Sequence, residues 1–169
     1  VSNIDLSELE NISESLIWDR TQTDVDYALE CEKNNIYSSE NLKGAYNISD
    51  RNRVGRALNY LSECIKNSGR TEIEVNIKEN WIMSDIIKHE DNNNVLNAVN
   101  KLEYFLPYNN IQSTPSNLDS LTYVKANTTE HIIFDLYGVL SRLINSWLYC
   151  GEGFASDFDP FNWQGWDGN

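Results

Sequence analysis

The sequence predicts a mainly α-helical fold: a four-helix bundle-like domain over residues 1–150 with a minor β strand or hairpin, then an irregular aromatic and glycine-rich segment over residues 151–169. Three observations carry this. Apolar residues in four separated segments recur at three- and four-residue steps, which places them on one face of a helix. Hydrophobic residues make up 40% and aromatic residues 11% of a 169-residue chain, enough to bury the core of one ordinary domain and too many for a disordered acidic chain. Turn-forming Gly, Pro and Asn gather between those segments and again after Cys150.

The first predicted helix runs from Thr23 to Asn34, with Thr23 as N-cap, Asp24 and Asp26 in its positive first turn, and Val25, Ala28 and Leu29 as the apolar side; Trp18 is expected beside its entry. A polar connector with Ser38, Ser39 and Gly44 leads to a second helix, Asp50 to Asn67, capped by Asp50 and followed by Gly69. Its stripe of Val54, Leu58, Leu61 and Ile65 is the strongest periodic signal in the chain. Over Thr71 to Ile77, Ile73, Val75 and Ile77 alternate with Glu72, Glu74 and Asn76, the pattern of a half-buried strand. A third helix, Asp91 to Leu106, places Val95, Val99, Leu102 and Leu106 on one face and stops at Pro107. After a loop over Tyr108 to Asn117, the fourth and longest helix spans Thr122 to Trp147, with Ile133, Leu136, Leu140, Leu143 and Trp147 on its stripe and Gly138 placed for the close approach of a neighbour. Such stripes bury against one another in a bundle.

Charge narrows the function classes. With 13 Lys+Arg against 26 Asp+Glu the net charge is -13, which keeps the chain soluble and opposes binding to DNA, RNA or an anionic membrane. No stretch approaches the roughly 20 apolar residues that span a bilayer, and Val1 to Leu9 carry no signal-peptide pattern, so neither membrane insertion nor export is expected from the chain itself. A start at Val1 rather than Met raises the expectation of a processed or longer polypeptide. Cys31, Cys64 and Cys150 are odd in number and widely spaced, which suits buried thiols rather than a disulfide framework or a zinc site.

No phosphate loop, dinucleotide turn, nucleophile elbow or H-E-x-x-H helix is present, and His89 and His131 have no Cys or second His at ligand spacing, so no catalytic residue, metal or cofactor is assigned. Paired carboxylates of a wall-degrading glycosidase remain a minor alternative, since 26 acidic residues make chance pairs common. Asp157, Asp159 and Asp167 lack the spacing of a calcium loop. Two features stand out. Arg51, Arg53 and Arg56 open the second helix, where cations oppose the helix dipole, and Asp19, Asp24 and Asp26 are the nearest carboxylates for an intramolecular tie. Phe154, Phe158, Phe161, Trp163 and Trp166 supply rings suited to docking on the domain itself or on a neighbouring subunit, and less so to stacking on a sugar.

Trp18-Asp19-Arg20-Thr21-Gln22, Asp24-Val25-Asp26, Leu42 to Asn47, Asp50 with Asn52-Arg53-Val54-Gly55, and Leu121-Thr122-Tyr123 with Ala126-Asn127 resemble a pattern recurring in helical modules of clostridial and related Gram-positive phage and prophage proteins. Trp81, Leu106-Pro107 and the tract near Trp147 fit it too, so the likeness covers about Ile17 to Gly151. It implies a structural or adaptor role in a phage tail, baseplate or fibre, within the virion. The partners implied are other virion subunits or further copies of the chain, with attachment to a cell-surface glycan as the alternative. No catalytic residues follow from it. Related chains end in a short Tyr-Ser-Gly-Glu-like segment, whereas Phe154 to Asn169 extend this one and mark where a particular partner is expected to be encoded.

Overall fold

The computed structural model of the protein describes residues 4–36, 42–68, 72–106 and 112–152, with the side chains of the last helix described as far as 146. Among them lie five helices: α1 (Leu6–Ser15), α2 (Gln22–Lys33), α3 (Ile48–Asn67), α4 (His89–Phe105) and α5 (Tyr123–Glu152). The mainly helical, bundle-like class holds, with one helix more than the periodicity predicts. The extra helix is α1. Asp5 caps it by accepting from the Ser7 and Glu8 amides at 2.9 and 3.3 Å, and Leu9 and Ile12 are its buried residues.

Helix starts differ from the expected ones because the capping side chains differ. Thr21, not Thr23, caps α2, in a reciprocal box with Asp24. Asn47, not Asp50, caps α3, and Asp50 returns a bond from its carboxylate to the Asn47 amide at 2.7 Å. Helix α4 begins two residues before Asp91, whose carboxylate reaches back to the Lys88 amide at 2.8 Å. It ends at Phe105, and Pro107 lies outside the described residues. Helix α5 runs to Glu152, and the segment expected beyond it, from residue 153 on, lies outside the described residues.

The core sits around α3, which packs on α1, α4 and α5, while α5 also packs on α1 and α4. Val54, Leu58, Leu61 and Ile65 are all buried, as their period predicts, and meet Val99 and Leu102 of α4 and Ile132, Ile133, Leu136 and Leu140 of α5 in one cluster. Each such side chain contributes roughly 1.5–3 kcal/mol by leaving water. On α5 the buried position is Ile144, and Leu143 is 37% exposed, so the expected stripe is displaced by one residue at that end. Helix α2 is peripheral. It buries only Ala28 and Cys31, and Leu29, expected on its apolar side, is half exposed. Gly44 pins the connector to it: a Cβ there would stand 2.0 Å from the Asp24 carbonyl oxygen, so only glycine permits the contact. Gly138, by contrast, faces open space, against the expectation of a close neighbour.

No strand occurs among the described residues. The alternation over 73–77 is nevertheless expressed, with Ile73 and Ile77 buried and Glu74 and Asn76 exposed. The segment has no partner strand among the described residues and is held by side-chain amides of α3. Asn59 exchanges two hydrogen bonds with the backbone of Ile77, at 2.7 and 2.8 Å, and Asn52 does the same with Trp81, at 3.1 and 2.7 Å. A side-chain amide carries the same donor and acceptor as a peptide group, so each asparagine replaces one rung of a ladder. Between the two clamps Gly55 lies under the strap, where a Cβ would come within 2.6 Å of the Lys78 carbonyl oxygen.

Candidate functional site

Several motif residues from separate parts of the chain converge in space. Arg20, whose side chain is 1% exposed, forms ion pairs through one terminal nitrogen with Asp50 at 3.0 Å and with Glu130 at 2.8 Å. Its Nε donates to the Lys43 carbonyl at 3.1 Å, and its other terminal nitrogen donates to the Ile17 carbonyl. Arg53 binds the same two carboxylates, bonding Asp50 and reaching Glu130 through Nε at 3.1 Å. Glu130 also accepts from the Ile17 amide at 2.8 Å. Two guanidiniums and two carboxylates make a neutral cluster. Burial pushes the Glu130 carboxyl above the usual glutamate range, against the pull of Arg53, Arg20 and the Ile17 amide. Burial acts to lower Arg53, but Glu130 and Asp50 outweigh it and hold its guanidinium protonated.

Neighbouring motif residues brace this cluster. Asn127 donates to the Arg20 carbonyl at 2.8 Å and accepts from its amide at 3.2 Å. Tyr46 lies under the Arg20 guanidinium, 5.5 Å from it. Trp18 stacks on His131 of α5 at 4.8 Å rather than on α2. The Trp-Asp-Arg, Gly-Ala-Tyr-Asn, Asn-Arg-Val-Gly and Ala-Asn stretches are therefore parts of one joint that locks the connectors around α2 to α3 and α5.

The expected pairing of Arg51, Arg53 and Arg56 with Asp19, Asp24 and Asp26 is corrected. Arg53 pairs with Asp50 and Glu130, and Arg56 with Glu8 of α1. Arg51 donates to the Asn92 side-chain oxygen and has no carboxylate partner among the described residues. The three aspartates are engaged elsewhere: Asp19 with Lys43 at 2.8 Å, Asp24 in the cap of its own helix, and Asp26 with Gln22 at 2.9 Å. Proximity in sequence misleads here because each of these carboxylates is taken up locally, by Lys43, by the α2 cap and by Gln22. The residues missed were Arg20 and Glu130. Glu130 falls four residues after Ala126 and three before Ile133, on the buried face of α5, and a carboxylate on such a face requires a cationic partner.

Away from this joint, one surface is apolar. Ile82, Met83, Ile86 and Ile87 are 60%, 89%, 81% and 43% exposed. They ride on a turn built by Asp85, whose amide donates to the Ile82 carbonyl at 2.9 Å and whose carboxylate accepts from the Ile82 amide at 2.9 Å and from Lys78 at 2.7 Å. These donors, first Lys78 and then the Ile82 amide, hold the Asp85 carboxyl below the usual aspartate range.

No family model, curated protein or solved structure matches the chain. The two histidines sit in local networks: His89 lies between Asp119 at 2.6 Å and Asn93 at 2.7 Å, and His131 beside Trp18 and Gln112. Among the described residues no cluster of His, Cys, Asp and Glu is arranged to hold a metal ion, and no helix is long and apolar enough to cross a membrane. Cys31 and Cys64 are buried free thiols. Phe154, Phe158, Phe161, Trp163 and Trp166 lie outside the described residues.

Proposed function

We propose that this chain is a non-enzymatic structural or adaptor module of a phage-type tail or baseplate that works through contacts with other virion subunits or with copies of itself. The observation that carries the reading is the 82–87 turn. Four large apolar side chains are held out on a hydrogen-bonded frame, and in a chain of net charge -13 such a patch is a contact surface rather than a packing residue of the domain. The resemblance supplies the virion setting, and the joint around Arg20 supplies the rigid body on which the turn is presented.

The test is association. The full chain expressed with the tail proteins of its own genome is expected to sediment with assembled particles, and Met83→Asp with Ile86→Asp is expected to abolish this while leaving thermal unfolding unchanged. Removal of Phe154 to Asn169 reports the share carried by the aromatic segment. A chain that remains monomeric and never enters particles defeats the proposal.

A further inference from the structure

A cleft of about 280 Å³ opens between α3, α4 and the strap over 76–81, with Trp81, Val54 and Leu118 among its walls. We propose that it binds a small hydroxylated carboxylate, the chemistry of a single-ring sugar acid, with Arg51 receiving the carboxylate. This goes beyond the assembly role, and the two can fail separately.

Arg20, Arg53 and Arg56 each hold a carboxylate, whereas Arg51 lines the cleft without one among the described residues. Its guanidinium stands 5.5 Å from the Trp81 ring centre and, among the described residues, donates only to the Asn92 side-chain oxygen, which leaves most of its planar fork of N–H donors for a ligand. In a protein with twice as many acidic as basic residues, this half-buried arginine forms no ion pair among the described residues, which leaves its guanidinium able to receive a carboxylate from outside.

Neighbouring groups define the rest of the ligand. Tyr46, Asn76 and Asn94 line the same cleft, and their side chains form no internal hydrogen bond among the described residues. They offer donors and acceptors of the kind that hydroxyl groups satisfy. Burial pushes the Tyr46 hydroxyl up, so it stays a neutral donor. Two further charges face the space. Lys78 is neutralised by Asp85 at 2.7 Å and lies over Trp81, and Asp91 is tied to the Lys88 amide. With Lys78 taken up by Asp85, Arg51 and Asp91 are the charges left on the wall, so the cleft has no net charge; it suits a ligand with a single carboxylate received by Arg51 and disfavours a polyphosphate. The volume lies just below the ~300–1,000 Å³ typical of drug-sized ligand pockets, which fits one ring.

The walls are also set before any ligand arrives. Asn52 and Asn59 clamp the strap at Trp81 and Ile77, and Asn92 donates to the Leu118 carbonyl at 3.3 Å and to Asp119 at 3.2 Å while accepting from Arg51. Such preorganisation lowers the entropic cost of binding.

The experiment titrates the full chain with D-glucuronate, D-glucose and inorganic phosphate, observing amide and indole N–H resonances. Glucuronate is expected to give saturable one-to-one shifts centred on the Trp81 indole and Arg51, with glucose and phosphate at least about tenfold weaker. Arg51→Gln is expected to weaken glucuronate about tenfold, as loss of a charge-assisted hydrogen bond does. Should that variant fail to fold, Asn94→Ala, on an exposed side chain without internal bonds, carries the test with a several-fold loss. Equal binding of glucose, preference for phosphate, glucuronate affinity unchanged by the variants, or no saturable shift at about 50 mM glucuronate overturns the assignment.

Discussion

Arg51 and Arg53 stand two residues apart on α3 and meet opposite environments. Two residues advance a helix by about 200°, so the side chains leave on opposite faces. Arg53 turns toward α5 and finds Glu130 and Asp50, with its own side chain only 14% exposed. Arg51 turns toward α4 and the strap, donates to the Asn92 side-chain oxygen, lies over the Trp81 ring, and forms no ion pair among the described residues. The contrast shows that partner supply, rather than residue type, decides whether an arginine builds the fold or remains available. A charge whose hydrogen bonds are complete within the chain has no capacity left for a ligand; one that is incomplete has.

Glu130→Gln is the strongest way to break this comparison. It leaves Arg20 and Arg53 buried beside Asp50 alone, an excess of one positive charge, and removal of one member of a buried ion pair typically costs about 3–5 kcal/mol. Urea unfolding followed by circular dichroism is expected to show a loss of that size for Glu130→Gln, against less than about 1 kcal/mol for Arg51→Gln, which removes no ion pair. Equal losses for the two would mean that the Arg20–Arg53–Asp50–Glu130 cluster does not hold the connectors to α3 and α5.

A smaller loss is expected at the clamp. Asn52→Ala leaves the amide and carbonyl of the buried Trp81 without their partners, at about 1–3 kcal/mol for an unsatisfied buried group. Because the same bonds set the wall of the cleft, hydrogen exchange at the Trp81 amide should accelerate in this variant while the amides of α5 stay protected. Uniform acceleration throughout the chain would show instead that the strap is part of the global core.

These two regions were unequally legible in the sequence. The α3 stripe was plain because Val54, Leu58, Leu61 and Ile65 obey a local period, and all four are buried. The alternation over 73–77 was equally plain, but not that side-chain amides would take the place of a second strand, since nothing local specifies the partner of Ile77. Helix α1 escaped because its apolar stripe is short, although Asp5 followed by Glu8 is a start signal. The ion pairs were the least legible. Glu130 lies 77 residues from Arg53 and 110 from Arg20, so only its odd place on an apolar face announced it, whereas Asp19, Asp24 and Asp26 were close in sequence and turned away in space.

Acid should separate the regions with the smallest effect of all. Asp85 holds the exposed apolar turn through Lys78 and the Ile82 amide, and its carboxyl titrates below the usual aspartate range. A folded-state value below the unfolded one means that the stabilisation is complete above the ordinary aspartate value, about 3.9, and is lost as pH falls through the depressed one. Between neutral pH and about 4 the turn should therefore keep its shape, and below that the Ile82 amide should lose its protection while the Tyr137 hydroxyl bond to the Ala57 carbonyl, 2.8 Å long and free of carboxylates, persists in the core. Amide exchange and side-chain carboxyl shifts measured across this range test it. An Ile82 amide that opens already between pH 6 and 5 would show that Lys78 and Asp85 do not govern the turn, and that the apolar side chains are positioned by their own packing.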